Sequence, residues 1–61
     1  MEYVDKVYEI VKNEAGNLDS IYGDYICHLV GIHGLVALID NDLVEGCGVV
    51  NGRRLYVLID K

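Results

Sequence analysis

The sequence predicts a small α+β domain in which three short helices are followed by a C-terminal β-hairpin. Three observations carry this reading. Residues 2–15 repeat apolar side chains at three- and four-residue spacing, Gly31 interrupts a second apolar stretch, and Asn51-Gly52 stands between two apolar runs. The 61 residues make one domain, 1–61, near the lower limit at which a chain buries enough apolar surface to fold alone. Phe, Trp and Pro are absent, so the core must be built from Val, Leu, Ile and five tyrosines.

The first helix follows from Tyr3, Val4, Val7, Tyr8, Ile10, Val11 and Ala15, which share one face, with Asp5, Lys6, Glu9, Lys12 and Asn13 on the other. Such a stripe packs on a core and leaves the charges in water. Gly16-Asn17 is expected to supply the positive φ that ends many helices, stopping this one at Ala15. Residues 18–23 read as a connector, and Gly23-Asp24 opens a second helix over 25–30, broken by Gly31. Residues 32–41 carry Leu35, Leu38 and Ile39 at helical spacing, but Val36 and Ala37 make the run apolar nearly all round. Periodicity alone does not separate a buried helix from a buried strand here. A third helix is the favoured reading. The alternative makes 35–39 a strand, turned at Asp40-Asn41-Asp42 into a three-stranded antiparallel meander under one or two helices.

Asn-Gly between apolar runs specifies a type I′ turn, because both central residues need positive φ. A two-residue loop at Asn51-Gly52 pairs Val50 with Arg53, Gly48 with Leu55 and Gly46 with Val57, leaving Cys47, Val49, Tyr56 and Leu58 on the opposite face. The expected core sets Val4, Val7, Tyr8 and Val11 against Leu35, Leu38, Leu43, Val49, Tyr56 and Leu58. One apolar face of the last strand, Leu55, Val57 and Ile59 with Val50 beside it, is then left uncovered. It is the expected interaction surface, most simply for a second copy.

The order helix, helix, Gly31 turn, third helix ending near Asn41, then Leu43-Val44-Glu45 and a hairpin with Asn51-Gly52-Arg53-Arg54-Leu55-Tyr56 resembles the winged helix-turn-helix domain of small bacterial and phage-type proteins. With Gly31 as the turn glycine, Ile26, Val30 and Ile32 fall on positions usually buried in that motif and Cys27 on one that must be small. Asp40 departs from it, standing where an apolar residue is expected. The resemblance implies a DNA-binding transcriptional regulator, with Arg53, Arg54 and Asn51 as the nucleic-acid contacts of the wing.

Charge argues for a different partner. No Lys or Arg lies between Lys12 and Arg53, and the net charge is −5. Phosphate neutralisation supplies much of the affinity for DNA. Between Gly31 and Asp42 the only polar side chains are His33, Asp40, Asn41 and Asp42, a poor set for reading base edges. The favoured function is therefore a non-enzymatic binding or regulatory module acting through protein contacts as a homodimer or with a host or regulatory protein, and DNA binding is the alternative.

Other chemistry is thinly supported. Cys27, His28, His33 and Cys47 are zinc-type residues, but adjacent Cys27 and His28 diverge on any regular element and no Cys-x-x-Cys pair is present. No metal or cofactor is expected. Ser20 is the only serine and there is no threonine, and a core this small leaves little room for a substrate pocket, so neither catalysis nor a small-molecule substrate is expected. The uninterrupted apolar runs fall short of a membrane span, and the acidic start is unlike a signal peptide. These features predict a cytoplasmic protein with Cys27 and Cys47 reduced and buried.

Overall fold

Apolar periodicity makes the first element, helix α1 (Tyr3–Ala15), which buries Val7, Val11 and Ala15. The computed structural model describes residues 2–59, so the outermost residues of the domain 1–61 lie outside the described ones. Asp5 in the first turn and Lys12 in the last complement the helix dipole. The helix stops at Ala15 as expected, but by a different device. Gly16 keeps right-handed dihedrals (φ −67°) and donates its N–H to the Lys12 carbonyl, so no positive φ is used.

Strand β1 (Ile21–Tyr22) runs directly into helix α2 (Gly23–Asp40), and strands β2 (Val44–Val50) and β3 (Arg53–Leu58) form the hairpin. The architecture is thus two helices with a three-stranded antiparallel sheet of order β1-β3-β2, which corrects the expectation of three helices followed by a hairpin. Two residues of the presumed connector 18–23 pair with β3, Ile21 opposite Tyr56 and Tyr22 opposite Leu55. A strand this short has no periodicity to detect. The alternative of helices on a three-stranded antiparallel sheet fits, with its third strand at Ile21–Tyr22 rather than at 35–39, which is helical.

Gly31 breaks α2 without a loop. Its backbone stands at φ 79°, ψ 170° between arms 23–30 and 32–40, a region open essentially to glycine alone. The bend lets both arms feed one core, Ile26 from the first and Leu35 and Leu38 from the second. Gly34 then permits close approach, since a Cβ there would lie 2.5 Å from Val30 Cγ2 and 3.4 Å from Val7 Cγ1.

The hairpin turns at Asn51 (φ 53°) and Gly52 (φ 77°), the two positive φ values that a type I′ turn requires. Val50 pairs with Arg53 and Gly48 with Leu55, but Gly46 lies opposite Tyr56 instead of Val57. The cause is a bulge at Cys47, which adds one residue to β2 and shifts the register below it. Paired residues share a face, so Val44, Leu58, Tyr56 and Ile21 point to the helices.

The core is Val7, Val11, Ala15, Ile21, Ile26, Leu35, Leu38, Val44 and Tyr56, with Val4, Tyr8, Cys27, Val30, Leu43 and Leu58 packed on its border. Val49 does not belong to it and is 64% exposed, because the hairpin runs past the helices in a particle of 36 × 20 × 19 Å. Cys47 is also exposed, and Cys27 half-buried, against the expectation that both are buried. Tyr8 donates its hydroxyl to the Ile59 carbonyl at 3.1 Å, fastening α1 to the chain beyond β3.

Candidate functional site

Arg53 and Arg54 follow the turn immediately, so their positions are set by the pairs Val50 with Arg53 and Val49 with Arg54. Paired residues share a face, and the two arginines therefore leave opposite faces of the sheet. Arg53 does not reach outward as a free wing cation. Its Nε donates to Asp24 Oδ2 at 2.9 Å, and its guanidinium lies 4.0 Å from the centroid of the Tyr22 ring. Arg54 is exposed on the other face, beside the exposed Val49. Asn51 is exposed at the turn, where its left-handed backbone serves the hairpin.

The expected interaction surface lies on the outer face of the sheet. Val50, Leu55 and Val57 share that face with Tyr22 and Glu45 through the strand register. Leu55, Val57 and Ile59 are half-buried and Val50 is exposed. The neighbouring edge of β2 has no strand paired to its far side among the described residues, and β2 is exposed from Glu45 to Val50.

A second apolar surface was not legible in the sequence. Ile32, Val36 and Ile39 are 59%, 45% and 40% exposed, and their four- and three-residue spacing aligns them on one face of the second arm of α2. The winged-helix resemblance places Ile32 in a buried position, which the structure does not. In an arm apolar nearly all round, composition does not show which face meets the core, and only the packing of Gly34, Leu35 and Leu38 selects it. The same apolarity makes Gly23–Asp40 long and apolar enough to cross a membrane by length and composition alone, although Gly31 breaks it into two short arms.

His28 and His33 are exposed on α2. Among the described residues, no group of three or more His, Cys, Asp or Glu side chains is arranged to hold a metal ion. Chemically the surface of the described residues offers apolar contact, an open strand edge and the exposed Arg54. Compared with protein families, curated proteins and solved structures, the chain finds no match in any of the three.

Proposed function

We propose that the chain is a small non-enzymatic binding and regulatory module that acts through protein contacts and self-associates as a homodimer. The protein-contact reading is carried by the stripe of Ile32, Val36 and Ile39, three large apolar side chains held in water on one face of a helix, and the self-association reading by the far edge of β2, unpaired among the described residues. Exposed apolar side chains are common singly, whereas an aligned set marks a surface suited to another protein. The outer face of the sheet adds Val50, Leu55 and Val57.

DNA binding through the hairpin tip is the second reading. It is favoured by the Asn51-Gly52 turn bordered by exposed Arg54. It is weakened because Arg53 is already bound to Asp24 and α2 carries no Lys or Arg.

Two measurements separate the readings. Sedimentation equilibrium is expected to give a dimer, and fluorescence anisotropy with duplex DNA is expected to give only weak binding at moderate salt. Nanomolar, salt-sensitive DNA binding that disappears in Arg53→Ala/Arg54→Ala would replace the protein-binding reading with the second one.

A further inference from the structure

The open edge of β2 carries no Lys and no Pro, the residues that commonly blunt such edges; its protections are the single charge of Glu45 and the bulge at Cys47. The bulge also sorts the side chains of the strand. Pairing with β3 sets Glu45, Gly48 and Val50 on the outer face, with Val57, Leu55 and Arg53, and sets Gly46 and Val49 on the inner face, with Tyr56 and Arg54.

Two identical edges related by a two-fold axis normal to the sheet pair antiparallel, and residues directly opposite each other must share a face. The extra residue at Cys47 makes β2 match itself about the midpoint between Cys47 and Gly48. Glu45 then falls opposite Val50 of the second copy, both outer, and Gly46 opposite Val49, both inner. Size and charge agree with this register. Each exposed valine meets a glycine or the stem of a glutamate. Arg53 pairs with Val50 on the outer face, so each Glu45 lies across Val50 from the other copy's Arg53. The hairpin is also the cationic part of an acidic chain, with Glu45 against Arg53 and Arg54, whereas residues 2–43 hold eight acids against Lys6 and Lys12.

Resting on the homodimer reading, we propose that a second copy of this chain pairs with β2 edge to edge in this register, making one continuous sheet of six strands. The joined outer faces bring Val50, Leu55 and Val57 of both copies into a single apolar surface.

The test uses the whole chain. Sedimentation equilibrium is expected to show a dimer that Gly48→Lys weakens by roughly tenfold or more in Kd. The substitution has room in the single chain, because nothing lies within 4 Å of a Cβ built at Gly48, and an unchanged circular-dichroism melt at a concentration where both proteins are monomeric confirms that the fold survives. In a Cys27→Ser/Cys47→Ser background, Gly46→Cys/Val49→Cys is expected to cross-link into dimers under diamide. A wild-type monomer at roughly 200 µM overturns both the edge pairing and the homodimer reading. A dimer indifferent to Gly48→Lys, not cross-linked through positions 46 and 49, and broken by Val57→Lys overturns the edge pairing alone.

Discussion

Arg53 donates its Nε hydrogen to the Asp24 carboxylate at 2.9 Å, tying the start of β3 to the first turn of α2. Tyr22 supplies the surface on which the guanidinium rests. Asp24 also sits where the helix dipole favours an anion. Both partners are well exposed, at 49% and 73%, so the pair is expected to add at most about 1 kcal/mol, and the ring contact a similar amount. Arg53→Ala should therefore lower stability by about 1 kcal/mol, read by urea unfolding. Its main effect is to hold back a cation that the second reading requires.

DNA affinity gives a sharper number. Between Lys12 and Lys61 the only cationic residues are Arg53 and Arg54, so a wing neutralises at most two phosphates. Log K against log salt is expected to fall no more steeply than about −1.8, measured by anisotropy on duplex DNA. A steeper slope would require further cationic contacts, which the surface from Asn13 to Gly52 does not contain.

Gly31→Ala isolates a backbone effect. Nothing lies within 4 Å of a Cβ built there, so sterics with neighbours play no part, yet φ 79° with ψ 170° is a conformation that alanine resists. The expected cost is about 1–3 kcal/mol, or roughly 4–8 °C in Tm for each kcal/mol in a domain of this size. Stability for 61 residues is on the order of 3–9 kcal/mol, so this one substitution should be plain in a thermal melt.

What the sequence reveals divides by range of interaction. The extent of α1, the break at Gly31 and the turn at Asn51-Gly52 depend on residues within a few positions of each other, and each is visible as periodicity or a dipeptide. β1 exists only because Ile21 and Tyr22 find Tyr56 and Leu55 far along the chain. The tether on Arg53 crosses 29 positions to Asp24 and leaves no local signal. The exposed stripe on α2 was hidden by the opposite problem, an excess of apolar residues that made every face of residues 32–40 a candidate for the core. Among the proposed surface residues, Val50, Leu55 and Val57 could be assigned to one face from hairpin pairing alone, although the bulge at Cys47 puts Glu45 rather than Gly46 opposite Val57.

Tyr8→Phe removes one hydroxyl and keeps the ring. The lost hydrogen bond to the Ile59 carbonyl is expected to cost about 0.5–1.5 kcal/mol. Because this bond anchors the chain past β3, hydrogen exchange should accelerate first at Ile59, whose N–H donates to the Leu43 carbonyl at 2.8 Å, while Leu38 and Ile26 keep their protection.

Val36→Lys tests whether the α2 stripe is free of structural duty. Val36 is 45% exposed and belongs to no part of the core. Lysine is the better helix former, and a cation near the C-terminal end of α2 meets the favourable end of its dipole, where no basic residue stands at present. The substitution is expected to leave stability unchanged or raise it by up to about 1 kcal/mol. With the proposed pairing at the β2 edge, the dimer Kd should also stay unchanged. Solubility in ammonium sulfate should rise. Loss of stability beyond that range would assign Val36 to the fold, and loss of the dimer would move self-association from the strand edge to the helix.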